Sequence, residues 1–255
     1  MTRWSAAQVA QHVPGSIDTA GARGRRKLIS GQVVASELGR VRIFTALDGG
    51  ALQRLAAVAF TRRLAANQIL FVGGEPSEHL YVVRSGLLRV LTTSPHGEHL
   101  VLASVGAGEV IGELSVLDLQ PRSADVVAAE LSELIAVPAD VARSVLTSDS
   151  EALLAAACEL AAQVRRLTGT MNDLVFLDLP RRVAKLLLSR SRTRSDGKTV
   201  SELGASQTVV AAQLGVSRQS VNKALSGLVR HGWIEIDGRQ VVLSDPTALR
   251  RYVEA

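Results

Sequence analysis

One cysteine, Cys158, stands in a chain of 255 residues. That scarcity excludes an intrachain disulfide framework, a four-cysteine zinc site and a cysteine-held iron–sulfur cluster within one chain. Aromatic residues make up only 3% of the sequence while 47% is apolar, so its cores have to be aliphatic. No run of about eighteen apolar residues occurs, and no membrane span is expected. The N-terminus lacks an apolar h-region, so no signal peptide is expected and a cytoplasmic protein is the expectation. No nucleophile–histidine–acid set stands out, and an enzyme is not expected. His96, Glu98 and His99 can be drawn as a metal site, but they fall in a hairpin turn, and no metal is expected.

What is present is unevenly placed. From Asp178 to Ala255 there are 13 Lys and Arg against 7 Asp and Glu, a net of +6; the preceding residues hold 16 and 17, a net of −1. All the excess positive charge therefore lies in the last third, which suggests a polyanion as that segment's partner.

The chain divides by texture. Residues 1–40 carry a basic, glycine-containing patch, Gly21–Lys27, and read as an N-terminal extension. Ile43–Phe60 has helical periodicity with Asp48 as a cap. Between there and Ala136 the apolar segments are short and punctuated by Gly73-Gly74-Glu75-Pro76, Ser85-Gly86 and Ser94-Pro95-His96-Gly97. Such spacing predicts an all-β barrel or jelly roll. Pro138–Leu146 reads as a helix, Pro180 starts another, Thr193–Thr199 is a polar loop, and Asp245-Pro246 opens a final helix.

Glu151–Val175 carries an apolar seam. Leu153, Ala157, Leu160, Val164, Leu167, Met171 and Leu174 alternate steps of four and three, the spacing of a coiled coil. The stripe predicts a long helix that pairs with a second copy of itself. Gln207–Arg230 predicts a helix-turn-helix: Ala211 allows close approach, Gly215 takes the turn, and Ser217 caps the second helix. Asp237-Gly238 between two apolar runs adds a hairpin wing. The second helix presents Ser217, Arg218, Gln219, Asn222 and Lys223 for base edges or phosphates, and Ser206 can cap the first helix and meet a phosphate. Double-stranded DNA with two inverted half-sites is the expected partner.

One stretch in the β region stands apart. Gly112-Glu113-Leu114 opens a short helix, and Arg122-Ser123 follows nine residues after Glu113. Free N–H groups, a guanidinium and a hydroxyl suit a phosphate, and a carboxylate suits a ribose hydroxyl. An Arg–Glu pair on a surface loop would read the same way.

Over roughly Ile43–Leu243 the chain resembles the cyclic-AMP receptor protein (CRP/FNR) family of bacterial transcription regulators. The resemblance rests on Gly112-Glu113-Leu114 with Pro121-Arg122-Ser123-Ala124, on Phe176–Ala184 as a hinge, and on Ser217–Lys223 at the start of a recognition helix. It implies an α+β fold: an extension at 1–40, a cyclic-nucleotide-binding β-roll at 41–147, a dimerisation helix at 148–177 and a winged helix-turn-helix at 178–255. It further implies cyclic AMP as effector, a homodimer, and RNA polymerase as a partner in transcription. Glu113 would then hold the ribose, Arg122 and Ser123 the cyclic phosphate, and backbone groups at Gly112 and Leu114 the remainder.

The departures are as informative. Where cyclic-AMP-binding members present Thr and then Ser or Asn to the adenine, this chain has Leu167 and Thr168, and an Arg one turn earlier is matched by Gln163. The expectation is a weakened ligand dependence, with a constitutive regulator whose β-roll has lost or changed its ligand as the alternative.

Overall fold

The computed structural model describes residues 31–93, 99–202, 207–238 and 240–255, with the side chains of 202–209 and of 212 outside that description. The described residues form two compact units, divided between Val164 and Arg165.

The first unit begins with helix α1, Gly31–Leu38, a 3₁₀ turn at Arg42–Phe44, and α2, Gly49–Val58. Asp48 caps α2, its carboxylate accepting the Ala51 N–H at 2.6 Å. Eight strands follow: β1 Phe60–Leu64, β2 Ile69–Phe71, β3 His79–Ser85, β4 Leu87–Thr93, β5 His99–Gly106, β6 Val110–Ile111, β7 Asp125–Ala128 and β8 Ser132–Pro138. A six-residue helix, α3 (Glu113–Asp118), interrupts them before β7. They make two four-stranded antiparallel sheets, in the orders β1-β8-β3-β6 and β2-β7-β4-β5. This is the expected β-roll.

Period-two alternation explains why β3 and β8 read as unbroken apolar runs. Tyr81, Val83, Leu134 and Ala136 point into the roll, against Leu70, Phe71, Leu88 and Val126 of the other sheet. Leu80, Val82, Ile135 and Val137 point the other way, into a second core. Strands buried on both faces lose the polar half of the alternation. That second core is supplied by α1, α2, α4 (Ala139–Thr147) and the start of α5, Ser150–Phe176.

Two expectations need correction here. The extension drawn over 1–40 ends earlier than the sequence suggested, because 31–38 fold as α1, with Val34 and Leu38 buried in the core. A polar anchor reinforces the apolar one: Arg84 of β3 pairs with Glu37 of α1 at 2.7 Å and with Glu133 of β8 at 2.9 Å. The periodicity of Ile43–Phe60 likewise belongs to more than one element: the 3₁₀ turn, α2, and Phe60, the first residue of β1. The basic patch at 21–27 lies outside the described residues.

The second unit holds the rest of α5, then α6 Leu179–Ser189, β9 Ser191–Thr193, β10 Thr199–Glu202, α7 Gln207–Leu214, α8 Arg218–Arg230, β11 Ile234–Asp237, β12 Gln240–Leu243 and α9 Pro246–Glu254. The stretch read as a polar loop, Thr193–Thr199, is instead the turn of a hairpin between β9 and β10. It joins the wing to form one sheet ordered β11-β12-β10-β9. The polar sequence concealed it, since Val200 is the one apolar side chain there, and it is fully buried. Val183, Ala184 and Leu187 of α6, Val210 and Ala211 of α7, and Val221, Ala224, Leu225 and Leu228 of α8 share one core with the wing and α9.

Candidate functional site

The cassette is built on backbone geometry that few residues tolerate. Gly112 caps α3 with φ +89, a left-handed conformation that favours glycine. A Cβ there would stand 2.1 Å from Nη1 of Arg122, so no side chain fits without displacing the guanidinium. Glu113 is the first residue of α3 and only 9% exposed. Leu119 ends that helix with φ +59, an uncommon state for a leucine, and the chain turns back there toward Arg122.

Arg122 is 4% exposed. Its Nη1 donates to the Gly112 carbonyl at 3.2 Å and its Nη2 to the His79 carbonyl. The guanidinium lies 4.2 Å from the Phe71 ring centroid and 5.8 Å from that of Tyr81. Its backbone is gripped by the turn after β2: the Gly74 N–H bonds the Arg122 carbonyl at 2.7 Å, and the Arg122 N–H bonds that of Glu75 at 2.9 Å. Three residues on, Asp125 spends both carboxylate oxygens on the same frame, accepting from the Gly73 N–H at 2.8 Å and the Thr93 hydroxyl at 3.1 Å.

The electrostatics are unusual. Arg122 forms no ion pair among the described residues, and its Nε is buried without a hydrogen-bond partner. Burial pulls the Arg122 guanidinium below its ordinary range, and the charges of Glu113, Glu75 and Glu78 only partly offset this. Burial pushes the Glu113 carboxyl above its usual range; its own amide, the Gln163 side chain of α5, the Arg122 charge and the Gly112 amide oppose that shift. The native state therefore holds this proton more tightly than the unfolded chain does. Between the two pKa values folding stability falls as pH rises, and Glu113→Gln is expected to flatten that slope in urea titrations run at several pH values. An unchanged slope would mean that Glu113 does not carry the effect.

The remaining predicted ligand residues are scattered in exposure. Leu114 and Ser123 face solvent beside the buried pair. Leu167 and Thr168 lie on α5, both exposed in the single chain. The seam itself is bare: Val164 is 62%, Leu167 43% and Met171 65% exposed.

The DNA-reading elements follow the helix-turn-helix reading closely. Gly215 takes φ +65 at the turn. Ser217 caps α8, its hydroxyl accepting the Ser220 N–H at 3.1 Å. Arg218, Gln219 and Lys223 are exposed on the first turns of α8, and Asn222 is half-buried. Ser206 lies outside the described residues. Gly238, also left-handed at φ +58, turns the wing between β11 and β12.

Comparison with known proteins agrees with both halves. Residues 61–149 match the cyclic nucleotide-binding domain family, and 181–252 match the Crp-like helix-turn-helix domain. The chain is 30% identical over 217 residues to a "CRP-like cAMP-activated global transcriptional regulator" of Mycobacterium tuberculosis, covering 84% of this chain and 97% of that one.

The chain belongs to the CRP/FNR family of transcription regulators. A further relative is the cyclic AMP receptor protein of Thermus thermophilus, 32% identical over 192 residues, or 71% of this chain and 83% of that one. Among solved structures, the c-di-GMP-responsive regulator CLP of Xanthomonas campestris superposes with a TM-score of 0.66 at 25% identity, covering 77% of this chain and 99% of that one. This CRP/FNR regulator thus combines a cyclic nucleotide-binding domain with a DNA-binding helix-turn-helix, and it is not an enzyme. No helix among its described residues is long and apolar enough to cross a membrane. Among those residues no group of three metal-binding side chains occurs; His96 and Glu98 fall outside them, and the Nδ1 of His99 meets the Thr93 hydroxyl at 3.1 Å.

Sequence reasoning missed the frame around Arg122. Phe71, Tyr81 and the His79 carbonyl come from strands with no cassette motif. No spacing along the chain links these rings to Arg122; the fold alone brings two of the 4 Phe and 2 Tyr against its guanidinium. Gln163 was noted only as a lost arginine, yet it is a partner of Glu113.

Proposed function

We propose that this regulator binds cyclic AMP through Gly112, Glu113, Leu114, Arg122 and Ser123, and acts on DNA as a homodimer. The observation that carries the ligand reading is the buried guanidinium of Arg122, which makes no direct ion pair among the described residues and has an unpartnered Nε. A cyclic phosphate supplies the opposite charge and can accept from the free donor, with the Ser123 hydroxyl beside it. Glu113 accepts from the ribose hydroxyls, and the resemblance to the family assigns the base to Leu167 and Thr168. Substituting Glu113 by Gln is accordingly expected to weaken nucleotide binding by about 10- to 100-fold, the loss of a charge-assisted hydrogen bond.

The bare seam supports self-pairing along α5, because an a/d stripe of this length costs hydrophobic free energy while it faces water. Two α8 helices related by a two-fold axis then read inverted half-sites through Ser217, Arg218, Gln219, Asn222 and Lys223, with Ser206 on a phosphate. RNA polymerase is the partner through which such a regulator acts on transcription. Leu167 sets the ligand dependence: a leucine continues the seam where a polar residue would interrupt it, so the dimer is already DNA-competent and nucleotide is a modest modulator.

Calorimetric titration with cyclic AMP and with cyclic GMP tests the ligand, and footprinting with and without nucleotide tests the response. Saturable cyclic AMP binding with a small gain in DNA affinity is expected. Leu167 also favours a second reading, a constitutive regulator whose β-roll has lost or changed its ligand. That reading wins if neither nucleotide binds while an inverted-repeat footprint persists.

A further inference from the structure

Helix α6 carries two arginines that neither the cassette nor α8 accounts for. Arg182 donates Nη1 to the Leu214 carbonyl at 3.1 Å. Arg190, which ends α6, donates Nη2 to Oε1 of Gln213 at 2.6 Å. Both side chains are half-buried, and the Nε of Arg182 is enclosed without a partner. Burial also pulls the Arg190 guanidinium below its ordinary pKa. These are inward-facing groups, placed at a cost in solvation.

Their targets are the last two residues of α7, immediately before the Gly215 turn. A helix leaves its final carbonyls without partners and carries partial negative charge at that end. Arg182 supplies a donor to one of those carbonyls, and Arg190 holds the Gln213 side chain in the same turn. Of the described side chains of α7, Val210 and Ala211 are buried in the core and Leu214 is partly buried. Helix α6 shares a continuous core with α8.

We infer that Arg182 and Arg190 are positioning residues for DNA recognition: they clamp the C-terminal end of α7 to α6 and so set the angle between α7 and α8. They act through α7 and do not touch DNA. The inference rests on the reading of DNA by α8 given above.

The test uses the full-length protein and a duplex that the native protein selects from a random-sequence pool. Arg182→Met, Arg190→Met and the double variant remove the donors and keep the apolar stems; Arg182→Lys keeps one donor. Affinity is measured at several salt concentrations, and amide exchange is followed at Val216, whose N–H bonds the Ala211 carbonyl at 3.0 Å. The double variant is expected to bind about tenfold more weakly, in line with the loss of hydrogen bonds made by charged groups. Its dependence on salt should match that of the native protein, Arg182→Lys should recover most of the single loss, and Val216 should exchange faster with no DNA present. A salt slope that falls by about one for each arginine removed would make them phosphate contacts and overturn the clamp. So would native affinity together with native exchange. Should the native protein select no duplex, the DNA reading fails and the positioning role fails with it. Should it select one while Val216 exchange is unmoved in every variant, the clamp alone fails.

Discussion

Arg122→Met is expected to abolish the stabilisation of the protein by cyclic nucleotide while leaving its own melting temperature within a few degrees of native. The two outcomes separate because the arginine has two environments. In the folded chain it is a buried cation in no direct ion pair among the described residues, stacked on Phe71 and donating to two carbonyls. Methionine fills similar space and keeps a favourable contact with the ring. It loses the hydrogen bonds to Gly112 and His79 but also removes a buried charge whose desolvation is costly, and these effects oppose each other. Toward an anion nothing offsets the loss. Breaking a buried charge pair costs about 3–5 kcal/mol, or roughly two to three and a half orders of magnitude in Kd. Thermal melts with and without saturating cyclic AMP would record this. A nucleotide-induced shift that survives the substitution would place the phosphate elsewhere.

Leu167→Glu is expected to turn the protein into a monomer and to cut its affinity for an inverted-repeat duplex by about 10²- to 10⁴-fold, the usual scale of lost bivalency. Residue 167 sits in mid-stripe between Val164 and Met171, all three exposed in the single chain. A two-fold seam would bring two such carboxylates face to face in an apolar strip, where each must give up hydration. Binding to a single half-site should persist, because the DNA-reading unit has its own core. Sedimentation equilibrium and fluorescence anisotropy measure the two effects. A dimer that survives with native affinity for the repeat would remove α5 as the dimer axis. The milder Leu167→Thr should loosen the seam and enlarge the effect of nucleotide on DNA binding. Ligand-free native protein that does not bind its site, together with a threonine variant that binds no worse, would contradict the role given to Leu167.

Much of the local architecture was legible before any coordinates. Asp48, Ser217 and Asp245 cap helices because a short polar side chain can reach an N–H three residues ahead, a relation confined to neighbours in the chain. The helix-turn-helix was readable for the same reason: Ala211, Gly215 and Val221 lie within eleven residues of one another, and each has a steric task set by its neighbours. The hairpin of β9 and β10 was hidden, since a short strand with one buried valine carries no periodic signal.

The sequence by itself determined the seam, the turn and the cassette's chemical types. It did so because helical periodicity, capping and left-handed glycine positions are rules between residues a few steps apart. The tertiary structure alone decided what those types meet. Arg122 bonds a carbonyl 43 residues away and stacks on a ring from another strand. Glu113 meets Gln163 of α5. Arg182 and Arg190 reach across to the end of α7, 32 and 23 residues distant. Each of these contacts exists only after separate elements have packed, and packing depends on shapes and buried surfaces drawn from the whole unit rather than on any spacing along the chain.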